Sequence, residues 1–114
     1  MVAKSQTQRR HVMNLYKEAA EIAAEALRES AGDYEAARDF IHESCNGHAV
    51  NIYYGRAIEF CATHDTSEGE QWLEDCGGIA QEGDTFGAIA CRIAFATLLC
   101  AAEQALAELE SETA

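Results

Sequence analysis

The chain has 114 residues, 48% of them apolar, with 20 acidic side chains against 8 basic ones and a formal charge of −12. That length suits one domain, and the apolar share excludes a disordered acidic tail. The absence of proline argues against a sandwich or barrel of short strands, and the charge argues against direct nucleic-acid binding, which needs lysine and arginine to displace counterions.

The pattern predicts an all-α fold: a compact bundle of about five helices in a single domain spanning residues 1–114, with residues 1–8 a disordered basic tail. The first helix is expected from about Ser5 to Ser30. Val12, Leu15, Tyr16, Ala19, Ala20, Ile22, Ala23, Ala26 and Leu27 recur at three and four residues and form a wide apolar stripe. Glu18, Glu21, Glu25 and Glu29 occupy the outer face. Gly32 ends the helix, and Asp33 can cap the next.

A second helix is expected from Tyr34 to Cys45, with Ala37, Phe40 and Ile41 on one side and Asn46-Gly47 as a stop. The third runs from about Ala49 to Thr63. Val50, Tyr53, Tyr54, Ala57, Ile58 and Cys61 fit one helical face. The β-branched and aromatic run Val50–Tyr54 also suits a strand, but a lone strand would have no pairing partner here. The fourth, from Glu68 to Cys76, opens on Ser67-Glu68-Gly69-Glu70, which reads as a capping box, and closes at Gly77-Gly78.

The fifth helix is expected from Thr85 to Ser111, capped by Asp84. Phe86, Ile89, Ala90, Ile93, Ala94, Ala96, Thr97 and Cys100 make it apolar or small on nearly every side, so it reads as the central buried helix. Leu106 and Leu109 continue its inner face. The run Thr85–Ala102 is at the edge of membrane-spanning length but contains Arg92, and a core helix explains it better. Phe40, Tyr53, Tyr54, Phe60, Trp72, Phe86 and Phe95 read as core anchors between small-residue helices.

Met1–Arg10 is basic but no apolar run follows, so it does not read as a secretory signal. The five cysteines, Cys45, Cys61, Cys76, Cys91 and Cys100, are odd in number and lie in apolar stretches. They read as free thiols in a reducing cytoplasm.

Cys45-Asn46-Gly47-His48 and Cys61-Ala62-Thr63-His64 form two CxxH pairs that could hold a structural zinc ion. The bland alternative is a histidine at a helix end and a small apolar thiol on a buried face, and no metal or other cofactor is assigned. His42-Glu43 lacks the second histidine of an HExxH site. Cys45 with His42 or His48 is a nucleophile and base on paper, without a surrounding signature. No phosphate-binding glycine loop is present. These observations predict no enzyme and no catalytic residue.

Charge is the feature with most content. Residues 1–11 hold Lys4, Arg9 and Arg10 and no acid, which leaves five bases against twenty acids, a formal −15, on the remainder. Glu59, Asp65, Glu68, Glu70, Glu74, Asp75, Glu82 and Asp84 follow one another with no lysine or arginine among them. Such a single-sign field steers a protein towards a positive surface, although solubility alone also explains an acidic face. These eight are the candidate partner-binding residues.

Ile41-His42-Glu43, Gly47-His48, Ile52-Tyr53-Tyr54, Ala57-Ile58, Gln71-Trp72-Leu73-Glu74-Asp75-Cys76-Gly77-Gly78 and Ala90-Cys91-Arg92-Ile93-Ala94-Phe95 resemble a group of small acidic helical proteins of phages and plasmids. In size, acidity and helicity the chain also resembles anti-CRISPR and anti-restriction inhibitors. That resemblance implies a non-enzymatic nucleic-acid mimic in the cytoplasm of a bacterial host. Its partner would be a basic nucleic-acid-binding protein or complex, with no membrane and no direct nucleic-acid contact. A homodimeric interaction module is the second reading and a zinc-stabilised domain the third.

Overall fold

A computed structural model describes residues 14–51 and 56–113. Among them are five helices and no strand: α1 (Leu15–Glu29), α2 (Tyr34–Asn51), α3 (Ala57–Thr63), α4 (Ser67–Cys76) and α5 (Phe86–Thr113). The all-α bundle expected from the sequence is what forms. Tyr53 and Tyr54, Val12 and the basic segment before Asn14 lie outside the described residues.

Helix α1 starts later than its periodicity suggests. Asn14 is extended, and its side-chain oxygen accepts the Lys17 N–H at 3.1 Å. An asparagine that bonds the backbone locally caps a helix rather than continuing one. A single helix from Ser5 is therefore corrected to one that begins at Leu15. Leu15, Ala19, Ile22, Ala23 and Ala26 face the core, whereas Tyr16 is 81% exposed, contrary to its place in the expected stripe.

The end of α1 is a Schellman turn: Gly32 N–H donates to the Leu27 carbonyl at 2.9 Å and Ala31 N–H to that of Arg28 at 3.3 Å. The left-handed position just past the cap is held by Ala31, at φ 52°, with Gly32 also positive at 83°. Asp33 caps α2 as expected, accepting the N–H groups of Glu35 at 3.0 Å and Ala36 at 3.3 Å.

Asn46-Gly47 does not stop α2, which continues to Asn51. Glycine inside a helix costs about 1 kcal/mol relative to alanine, and tertiary packing outweighs it here. Ala37, Ile41 and Cys45 are fully buried at i, i+4 and i+8, and His48, beyond the expected stop, meets Glu18 of α1 at 3.5 Å. The expected single helix from Ala49 to Thr63 is accordingly divided between the end of α2 and α3.

Helix α4 begins at Ser67 with Thr66 as its cap residue and no side-chain cap hydrogen bond, so the expected Ser67–Glu70 capping box does not form: with the start one residue earlier, N3 falls on Gly69. The Thr66 hydroxyl donates to Glu70 at 2.6 Å, and Asp65 accepts from both the hydroxyl and the N–H of Ser67, at 2.6 and 3.1 Å. Gly77, at φ 130°, ends α4 as the sequence predicts, with Gly78 N–H on the Leu73 carbonyl at 2.8 Å.

Thr85, not Asp84, caps α5: its hydroxyl accepts the Ala88 N–H at 3.1 Å. Asp84 turns instead to Arg92. Helix α5 is about 42 Å long at 1.5 Å per residue and packs against all four other helices. Ala90, Ala94, Ala96, Thr97, Leu98, Leu99, Ala102 and Leu106 are buried along it. It has the length and apolarity to cross a membrane, properties that a core helix shares.

Of the expected anchors, Phe60 is buried, and Phe40, Trp72 and Phe95 pack half-buried against the core. Phe86 is 85% exposed, which corrects its reading as a core residue. It stands at the first position of α5, a turn before the first buried residue, and among the described residues no helix covers it.

Candidate interaction surface

The eight carboxylates of the acidic stretch occupy different settings. Glu59 is exposed on α3, and Glu68, Glu74 and Asp75 are exposed on α4. Glu68 and Asp75 are two turns apart, about 10.5 Å along one side of the helix, and Gln71 between them donates to Asp75 at 3.0 Å. Glu82 is exposed in the loop before α5. Among the described residues no lysine or arginine pairs with these five.

The remaining three are engaged by their own surroundings. Glu70 is half-buried and accepts the Thr66 hydroxyl. The Ser67 hydroxyl, and after it the Ser67 N–H, holds the Asp65 carboxyl below its ordinary range. Asp84 receives two hydrogen bonds from the Arg92 guanidinium, at 2.8 and 3.2 Å, and one from the Gln81 N–H at 2.7 Å. The guanidinium contact first, then the Gln81 bond, lowers its pKa. Arg92 also donates to the Ile79 carbonyl at 2.5 Å. This pair offsets its own charge and fastens the 79–84 loop to α5.

Glu18, half-buried with His48, is likewise drawn inward from the acidic face of α1. Glu21, Glu25 and Glu29 remain exposed there.

The two CxxH pairs do not converge. Cys45 is in the core, and His48 sits against Glu18 with its Nδ1 3.3 Å from the Ser44 carbonyl. Cys61 donates to the Ala90 carbonyl at 3.5 Å. His64 stacks on Phe60 with ring centres 4.1 Å apart and its Nδ1 3.0 Å from the Phe60 carbonyl. Among the described residues no three His, Cys, Asp or Glu side chains group to hold a metal ion.

Nor does Cys45 face a base. Burial first, then the negative charges of Glu103 and Cys100, pushes its thiol up to about 12, far from the thiolate a nucleophile needs. His42 packs elsewhere, against Phe95 at 5.5 Å and Trp72 at 6.1 Å between ring centres. All five cysteines are free thiols.

Sequence reading missed one concavity. Arg38, Asp39, His42, Glu43, Asn46 and Glu103 line an open groove of about 530 Å³ beside the His42–Trp72–Phe95 rings. The signal was present in the i, i+4 series Arg38, His42, Asn46 and Asp39, Glu43 on α2, but Glu103 comes from α5 and only the fold brings it there. Arg38 leans towards Glu110, at 3.4 Å. The groove mixes both signs of charge and contains no activated nucleophile.

Compared with protein-family models, with curated proteins and with solved structures, the chain matches none.

Proposed function

We propose that this protein is a non-enzymatic inhibitor from a mobile element. It acts in the bacterial cytoplasm on a host defence complex of CRISPR type, by binding the basic surface that otherwise holds nucleic acid. The observation that supports this is the run of exposed carboxylates Glu59, Glu68, Glu74, Asp75 and Glu82 in a stretch without lysine or arginine from Arg56 to Arg92. Nucleic-acid channels are positive, and carboxylates held on a helix compete for the same lysines and arginines as phosphates do. The block is stoichiometric, and its rate rises with electrostatic steering.

Capture from a host lysate tests this, with wild type and a Glu59→Lys, Glu68→Lys, Glu74→Lys, Asp75→Lys variant compared at about 50 and about 200 mM salt. Wild type should recover a nucleic-acid-binding complex at low salt and release it at high salt, and the added protein should displace that complex's nucleic acid. Recovery of the same complex by the variant at undiminished yield refutes the reading.

A further inference from the structure

Two large apolar side chains stand in solvent at one end of the bundle. Phe86 opens α5 at 85% exposure, and Ile58 of α3 is 60% exposed. The hydrogen bond from the Cys61 thiol to the Ala90 carbonyl joins these two helices. Ile58 precedes Cys61 by one helical turn and Phe86 precedes Ala90 by one, so both lie within a turn of the same α3–α5 contact. Neither helps to fill the core.

Exposed carboxylates lie near both in sequence, alongside the exposed Arg56 two residues before Ile58. Glu59 follows Ile58 directly, Glu82 precedes Phe86 by four residues, and both carboxylates are exposed. The Asp84–Arg92 pair and the Arg92 bond to the Ile79 carbonyl hold the loop bearing Glu82 on the first half of α5, the helix that Phe86 opens. The α3–α5 contact is thus flanked by two exposed apolar side chains with exposed carboxylates close by in sequence. Protein interfaces are built with buried aromatic anchors at the centre and charges outside. A second copy of this chain would bring carboxylates against carboxylates, since each copy has a formal charge of −12.

We propose that Phe86 and Ile58 anchor a docking face for a protein partner whose apolar pocket is rimmed by lysine and arginine; the inference rests on the inhibitor reading, whose carboxylates Glu59 and Glu82 become the rim. The rim sets encounter rate and orientation, and burial of the two anchors sets residence time.

The test uses the full chain and two synthetic peptides of equal length and lysine content. One is an amphipathic leucine–lysine helix, and the other a glycine–lysine sequence without an apolar face. Wild type should bind the leucine–lysine peptide at least about tenfold more tightly than the glycine–lysine peptide. A Phe86→Ala, Ile58→Ala variant should abolish that preference, with helicity by circular dichroism unchanged because both side chains are exposed. Glu59→Lys with Glu82→Lys should weaken both peptides. If the two peptides bind wild type equally and with strong salt dependence, the acidic reading stands and the anchor proposal falls. Failure of both peptides to bind overturns the two together. A preference that survives in the Phe86→Ala, Ile58→Ala variant overturns the anchors alone. Sedimentation of wild type as a dimer and of that variant as a monomer would give the face to a second copy and also overturn the proposal.

Discussion

Gly69 of α4 rests directly on the backbone of Thr97 in α5. A Cβ added at Gly69 would come within 2.6 Å of the Thr97 nitrogen and 2.8 Å of its Cα, and would also strike the hydroxyl. The Thr97 hydroxyl meanwhile donates to the Ile93 carbonyl at 2.7 Å. Gly69→Ala should therefore destabilise the fold by about 2–3 kcal/mol in urea unfolding, in the range of overpacked cores. Combining it with Thr97→Ala should not restore stability, since the nitrogen and Cα remain in the way. A loss below about 0.5 kcal/mol, the scale of an ordinary surface change, would show that the two helices stand further apart.

Gly47 offers the opposite substitution. It lies inside α2, and a Cβ there meets nothing within 4 Å. Gly47→Ala should stabilise the protein by about 0.5–1 kcal/mol. Ala31→Gly should also stabilise, because alanine at φ 52° bears a steric cost that glycine does not. Thermal unfolding of each single variant and of the pair measures both, and the gains should add because one residue lies past the end of α1 and the other deep in α2.

The Asp84–Arg92 pair gives stability a pH dependence of definite sign. The folded-state pKa of Asp84 is lowered from its ordinary 3.8, chiefly by the guanidinium. The stability it contributes is thus present above that value and is lost as pH falls through the lower, folded-state value. Asp84→Asn should be less stable than wild type at neutral pH, and the gap should narrow as pH falls below about 4. A gap that is constant from pH 7 to pH 2, or that widens on acidification, contradicts the assignment.

The five thiols should separate by burial. Cys45 is fully buried and raised to about 12, and Cys100 is half-buried and raised to about 11 by desolvation and then Glu103. Cys76 is exposed at the end of α4. A maleimide reagent at neutral pH should label Cys76 first and Cys45 only on unfolding, as peptide mass mapping over time would show. Early labelling of Cys45 would place that part of α2 in solvent.

Local chemistry made part of this fold legible. Asp33, Gly77-Gly78 and the small-residue run from Ala90 to Ala102 acted as their residue types predict, because their partners lie within a few positions or because almost every side of the helix is apolar. Asn46-Gly47 misled because its turn preference, about 1 kcal/mol, is smaller than the packing of Ala37, Ile41 and Cys45 and the contact of His48 with Glu18. Asp84 looked like a cap because Arg92, its real partner, lies eight residues on. The acidic stretch could be counted from the sequence. Which carboxylates are engaged internally could not, since Glu70, Asp65 and Asp84 depend on a cap, a turn and a tertiary ion pair. The groove beside His42 needs Glu103 from a helix some 60 residues later, a juxtaposition no local pattern encodes.

The helix that touches every other one is also the last of the five to leave the ribosome. Helices α1 to α4 each pack against a partner not yet synthesised, and α1, though it also meets α2, waits for residues about 70 positions downstream before its buried stripe is fully covered. Long-range closure of that kind slows folding relative to a bundle of neighbouring hairpins. Closure of the core therefore waits for α5. A nascent chain interrupted within α5 is a natural client for chaperones and proteases, which gives the cell a short window in which to remove it.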